Sequence, residues 1–181
     1  MKLFDLRADF STCCAFVFRS GAPSVWGDGW FEGTPRGTNY PIPQGDRDAE
    51  RIDGPLPDFT DFALRPFPTF SERAIEALSD LLSAHGEFAA IEMDEPMRYF
   101  AFNATTIVDV LDEEMSQIAR FRSGGVMAVD RHVLLESVNS LPPIFKMPQT
   151  RRNTTYVNEQ FVQRVHEHGL TGFRFDLLFE R

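Results

Sequence analysis

Across residues 70 to 116 the apolar residues change their spacing from a helical to a strand period, which predicts a helix followed by a pair of strands around which the rest of the chain is organised. Ala74, Ile75, Leu78, Leu81 and Leu82 recur on one helical face, while Glu76, Asp80 and Ser83 fall on the other. This spacing predicts a helix over 71–85. Ser71 is its expected N-cap, because its hydroxyl can accept from an unpaired backbone N–H of the first turn. Glu72 then stands at the positive end of the helix dipole. Gly86 is expected just past the helix as a left-handed C′ residue. Beyond it, 87–93 and 97–103 read as two strands around an Asp94-Glu95-Pro96 turn. The stretch carries no active-site motif, so its expected role is scaffold.

The flanks differ in texture. Residues 12–19, rich in Cys, Phe and Val, read as a buried strand. Segment 20–68 holds most of the glycines and prolines together with Trp26 and Trp30, a composition that disfavours long regular elements. A structureless stretch of that length is uncommon in a compact domain. An irregular but ordered region, with short strands around 30–33 and aromatics docked on the core, is preferred to a mobile binding loop. Further on, 107–111 is expected to form a helical turn ending in Asp112-Glu113-Glu114. Residues 117–122 and 126–135 read as strands joined by Ser123-Gly124-Gly125, and 144–147 and 155–157 as short strands. Asn158 is the expected cap of a second helix, 158–168, with Phe161, Val162 and Val165 inward and Gly169 at its end. Residues 171–179 close the chain as a strand, with Phe173, Phe175 and Leu177 on one side and Arg174 and Asp176 on the other. The reading is α+β: one domain over 1–181, with a mixed, mostly antiparallel sheet, two main helices (71–85 and 158–168), and the irregular 20–68 segment packed on it. The 18 phenylalanines, against 3 tyrosines and 2 tryptophans, are expected chiefly in the core.

Charge narrows the choice of partners. The net charge is −9, distributed as −3 over 1–60, −8 over 61–120 and +2 over 121–181. An acidic centre argues against nucleic acid, which needs a basic footprint. It suits a basic protein partner, and equally it serves solubility. The two cysteines, Cys13 and Cys14, are adjacent, so no disulfide framework is available and a reducing compartment is expected. The apolar run at 13–18 is too short for a signal sequence or a membrane span, so a cytoplasmic location and no membrane partner are expected.

Catalytic and metal patterns are weak. His166 and His168 lie two apart on a predicted helix and face different ways, and His85 and His132 are isolated, so no metal site is expected. Cys13 and Cys14 sit in an apolar run that favours the neutral thiol. No phosphate loop, nucleophile elbow or dinucleotide fingerprint occurs. The acids Asp94 with Glu95, and Asp112 with Glu113 and Glu114, fall at turn and cap positions that usually stay wet, which suits a binding surface better than acid–base work.

The ordered set of motifs resembles the Imm11-type immunity proteins, formerly a domain of unknown function, of bacterial polymorphic-toxin and secretion systems. The resemblance rests on the Trp/Gly/Pro-rich early segment, Ser71-Glu72-Arg73-Ala74 with Leu78, Leu81 and Leu82, and Gly86-Glu87. It continues through Tyr99-Phe100-Ala101-Phe102-Asn103 with Asp109 and Leu111, Ile144-Phe145-Lys146, and Gly169-Leu170-Thr171-Gly172-Phe173 with Phe175. It covers residues 26–178. Ala89-Ala90 stands where a proline-containing strand is expected, and the first 20 residues match nothing in the pattern.

The resemblance implies a non-enzymatic antitoxin that binds a cognate toxin and occludes its active site or substrate groove, with no cofactor and no catalytic residues. The expected contact face is Asp94, Glu95, Asp112, Glu113 and Glu114, with Asp28, Trp30 and Glu32 as an aromatic-acidic second patch. The alternatives are a small carboxylate-dependent hydrolase or transferase, or an adaptor module of a secretion system. The toxin's identity and the oligomeric state are left open.

Overall fold

The computed structural model describes residues 1–19, 32–37, 42–50, 53–61 and 68–181. Its strands are β1 (Lys2–Ala8), β2 (Phe16–Phe18), β3 (Gln44–Arg47), β4 (Phe59–Asp61), β5 (Pro68–Ser71), β6 (Gly86–Met93), β7 (Tyr99–Ala104), β8 (Gln117–Arg120), β9 (Val126–Arg131), β10 (Ile144–Phe145), β11 (Tyr156–Asn158) and β12 (Phe173–Glu180). The helices are α1 (Glu72–Ala77), α2 (Ser79–Leu82) and α3 (Glu159–Glu167). One sheet runs β10-β11-β1-β12, a second runs β2-β3-β6-β7-β5-β4, and β8-β9 forms a separate hairpin. Every pair is antiparallel except β3 with β6. The α+β reading with a mixed, mostly antiparallel arrangement therefore stands in outline, weighted towards strand.

Side-chain alternation along these strands sorts the core into three regions. Phe59, Phe70 and Phe102 of the second sheet meet Leu6, Ala8 and Val157 of the first across a layer closed by Ala74 of α1, Leu78 between α1 and α2, Leu82 of α2 and Phe161 of α3. The rings interlock, with Phe59 stacked on Phe173 at 4.8 Å and Phe70 edge-on to Phe102 at 5.7 Å. The other face of the second sheet buries Cys14, Phe16, Ile91 and Tyr99. The other face of the first sheet buries Leu3, Phe145 and Tyr156 under Val110, Leu111 and Leu134, with Ile118 and Val129 of the hairpin packed against them.

Local signals set several boundaries as expected. The Ser71 hydroxyl accepts from the Ala74 N–H, and Asn158 Oδ1 accepts from the Phe161 N–H. Gly169 follows α3 with φ of +57°. The β6–β7 hairpin forms around 94–96.

Other expectations are corrected. The predicted 71–85 helix breaks at Leu78, whose φ of −111° and ψ of 10° leave the helical region. Hydrogen bonds still cross the break, from the Leu78 N–H to Ala74 and from the Leu82 N–H to Leu78. Gly86 is no left-handed cap. It opens β6, where a Cβ would strike the Phe102 ring and the Asn103 carbonyl oxygen. The predicted turn at 107–111 is extended, bridging Ile107 to Lys146 and Leu111 to Leu134. The strand expected over 12–19 shortens to β2, although Cys13 and Cys14 are both buried and free. In the 30–33 stretch, Glu32 and Gly33 form a bend, and Trp30 with Phe31 lies outside the described residues. The alternation predicted along 171–179 fails at Leu177, which is exposed. A register shift opposite Leu3 and Phe4 rotates the strand there and turns Leu178 inward.

Strand β1 is the structural surprise. It is an inner strand of its sheet, between β11 and β12, and carries Leu6 and Ala8 into one core region and Leu3 into another. A second long-range tie is Asp58, just before β4 and almost completely buried. Its carboxylate accepts from the Ser71 hydroxyl, the Arg73 guanidinium, and the Thr171 amide and hydroxyl. Burial pushes this carboxyl up, but Arg73, Thr171 and Ser71 outweigh it and hold the group below its usual range. The start of α1 is thereby fixed to the start of β12.

Candidate functional site

The strand and turn geometry separates the acids that the sequence groups together. The Asp94–Pro96 turn closes β6–β7 at the end opposite the Gly86–Ala104 pair, from which the chain runs on to Ile107 and Asp112. Seven residue steps at about 3.3 Å put roughly 23 Å between the two ends. Asp94 is exposed. Glu95 is held by Arg47 through two bonds of 2.5 and 2.7 Å, and its side chain is 10% exposed.

Asp112, Glu113 and Glu114 form a turn beside the β8–β9 hairpin. Oδ1 of Asp112 accepts from the N–H groups of Glu114 and Met115. Glu113 accepts from Arg120 of β8 and from Gln149, and these contacts hold its carboxyl below the usual range. Glu114 is exposed. Glu32 lies beside the same 147–154 loop, paired with Arg152 at 2.9 Å and with Arg151 at 3.9 Å. The structure thus joins Glu32 to the Glu113 group through one loop. Asp28 and Trp30 lie outside the described residues.

Lys146 anchors that loop from within. It is 2% exposed, and its ammonium donates to the Arg151 carbonyl, the Thr155 hydroxyl and, at 3.5 Å, the Thr154 carbonyl. Burial pushes its pKa down to about 8, against the raising influence of Glu32, Asp61 and Asp5.

A cleft of about 200 Å³ opens between β9 and the first sheet, on the face where Leu3, Asp5 and Tyr156 point. Its polar lining includes Asp5 and Arg7 of β1, Tyr156 of β11, His132 and the 150–154 loop, and its apolar lining includes Val126, Met127 and Val129 of β9. Arg7 donates to Oδ2 of Asp5 through Nε at 2.8 Å and Nη2 at 2.7 Å. Burial raises the Asp5 carboxyl to about 6 in spite of Arg7. The Tyr156 hydroxyl bonds to Thr150 Oγ1 at 2.7 Å and lies 3.4 Å from His132 Nε2; burial pushes the phenol up to about 12 and the imidazole down. Across the β1–β12 ladder, Asp5 stands opposite Asp176 and Arg7 opposite Arg174. Like charges directly opposed disfavour pairing. The conflict is relieved along each strand, by Arg7 on Asp5 and by Arg174 on Asp176 at 3.1 Å.

The hairpin above this cleft presents apolar side chains to solvent. Met127 is 51% exposed, Phe121 54% and, at the adjoining turn, Met115 59%. Met115 follows Glu114 in the chain, and Phe121 follows Arg120, whose guanidinium donates to Glu113.

Sequence reasoning missed the cleft, because its two sides lie more than a hundred residues apart. A local trace existed in the mirrored Asp5-Leu6-Arg7 and Arg174-Phe175-Asp176 triplets. Among the described residues, no three His, Cys, Asp or Glu side chains converge as a metal site. No helix among them is long and apolar enough to cross a membrane.

Comparison with known proteins gives one family. A model described as an immunity protein family, Imm11, matches residues 31–178. Among curated proteins, none matches the chain.

Proposed function

This chain belongs to the Imm11 family of immunity proteins, and from that premise we propose that it binds a cognate protein toxin in the cytoplasm of the producing cell and neutralises it by covering its active site or substrate groove, without chemistry of its own. The family match over most of the chain carries this reading. The contact face is the β8–β9 hairpin with its adjoining turn, which carry exposed Met115, Phe121 and Met127 as apolar anchors together with Glu113 and Glu114. Methionine and aromatic side chains are enriched at interface centres, and rim charges govern the rate of encounter. Glu113 and Glu114, with the chain's net charge of −9, favour a basic toxin. The Asp94–Glu95 turn is a separate feature, with Glu95 held by Arg47.

The test is co-expression of the chain with the protein encoded beside it, followed by affinity purification and a growth assay. Co-purification with restored growth supports the reading. Growth arrest by a well-expressed neighbour that neither binds the chain nor is relieved by it sinks it.

A further inference from the structure

Strand β12 is an outer edge of its sheet, paired only with β1 among the described residues. Its backbone groups alternate in direction, and neighbouring bonds show which way each points. The Leu6 N–H of β1 donates to Thr155, on the β11 side, so Leu6 and Phe175 face each other without ladder hydrogen bonds. The Asp9 N–H donates to Gly172, on the β12 side. Gly172, Arg174 and Asp176 therefore turn their backbone groups to β1. Phe173, Phe175 and Leu177 turn theirs outward, where no described residue bonds to them.

Two features bound this open edge. At one end the Thr171 carbonyl is taken by the Asp58 and Phe59 amides. At the other, the ladder passes from Phe4 opposite Leu177 to Leu3 opposite Phe179, which leaves Leu178 as an extra residue that breaks the alternation. Helix α3 packs chiefly over β11 and β1, leaving the β12 edge clear of it.

An unpaired edge is a template for another strand, and charges on it decide which strand is accepted. Arg174 and Asp176 flank Phe175 in the sequence, and their side chains are 56% and 48% exposed. Two antiparallel copies of β12 match outward groups to outward groups only when their two-fold axis passes at a residue. An axis at Arg174 or Asp176 sets that residue against itself, like charge against like. An axis at Phe173 or Leu177 runs into the occupied Thr171 carbonyl or the extra Leu178. An axis at Phe175 sets Arg174 of each copy opposite Asp176 of the other, at the positions where facing side chains come closest. The same register lays Leu177, 52% exposed, against the half-buried Phe173 of the other copy.

We propose that β12 is a self-association edge, pairing antiparallel with β12 of a second copy of this chain about an axis at Phe175. The two four-stranded sheets then become one continuous sheet. The inference does not rest on the immunity reading.

The pairing covers 173–177 of each copy, well below a standard interface of about 800 Å² per partner, so a Kd of roughly 10 µM to 1 mM is expected. Sedimentation equilibrium of the full chain alone, from about 10 µM to several millimolar, measures it. Amide hydrogen exchange read by NMR over the same range locates it. Protection at Phe173, Phe175 and Leu177 is expected to rise with concentration, while Arg174 and Asp176, bonded to β1, stay protected throughout. Arg174→Asp and Asp176→Arg each set like charges opposite one another twice per dimer, and each is expected to raise Kd about tenfold. Neither places a like charge against β1, since the new Asp faces Arg7 and the new Arg faces Asp5. Combining the two swaps restores opposite charges across the axis and is expected to return Kd to the wild-type value. A chain still monomeric at about 1 mM, a Kd indifferent to the single reversals, or no rescue by the double swap overturns the proposal. Protection that appears only on adding the neighbouring gene's product also overturns it, and assigns the edge to a partner's strand.

Discussion

Asp58 and Thr171, 113 positions apart in the sequence, are joined by two hydrogen bonds to one oxygen: the Thr171 N–H donates to Oδ2 at 2.8 Å and its hydroxyl at 3.1 Å. Arg73 and Ser71 complete the carboxylate's partners. This contact locks the last strand to the first helix, and it makes the fold's stability depend on one ionised group.

Asp58→Ala is expected to cost about 3 kcal/mol, at the lower end for breaking a buried pair because Arg73 is half exposed. Chemical denaturation at neutral pH measures it. The folded-state pKa of Asp58 is depressed, so its contribution is present above the unfolded value near ~3.9 and is lost as pH falls through the folded value. The gap between wild type and variant therefore narrows in acid.

Asp5 works in the opposite sense. Its folded pKa of about 6 lies above the unfolded value, so its favourable contribution is complete below ~pH 4 and is lost as pH rises through about 6. Asp5→Asn is expected to stabilise the chain by about 2 kcal/mol at pH 7.5 and to leave it unchanged at pH 4. The charged groups bearing on Asp5 are Arg7, Asp176, Arg174, Asp61 and Lys146. Thermal unfolding across that range checks the sign, and a variant less stable at pH 7.5 refutes it.

Two glycines separate close approach from backbone conformation. Gly86→Ala is expected to cost about 2–4 kcal/mol, because the added methyl meets a buried ring and a backbone oxygen. Gly169→Ala meets no atom within 4 Å but keeps a φ of +57°, so about 1–2 kcal/mol is expected. Equal losses in denaturant melts would contradict the distinction.

Reversing Glu113 and Glu114 together to Lys is expected to slow toxin association about tenfold at low salt and to flatten its salt dependence. Asp94→Lys, at the far end of β6–β7, should change the rate by less than about twofold. Stopped-flow or surface-plasmon rates decide this. A larger effect at Asp94 would move the contact face to the other end of the hairpin.

The candidate site was legible only in pieces. Glu113 and Glu114 stand out as an acidic run, but nothing local says that Arg120 and Gln149 reach Glu113, or that the 147–154 loop brings Glu32 to the same side. Asp94 and Glu95 carry the same chemistry in sequence, and the length of β6 puts them elsewhere. The cleft needs β1, β9 and β11 at once, and no single stretch contains its pattern.

The sequence by itself determined what depends on a few neighbouring bonds. The caps at Ser71 and Asn158, the left-handed Gly169 and the 94–96 turn each follow from side chains and φ angles within four residues. Its motif order also indicated the family that the model match establishes. Tertiary structure decided the break at Leu78, the role of Gly86 as a passage for the Phe102 ring, and the inner place of β1. It also decided which oxygen of Asp5 goes without a donor. These depend on partners tens to more than a hundred residues away, whose approach is set by packing and burial rather than by local preference.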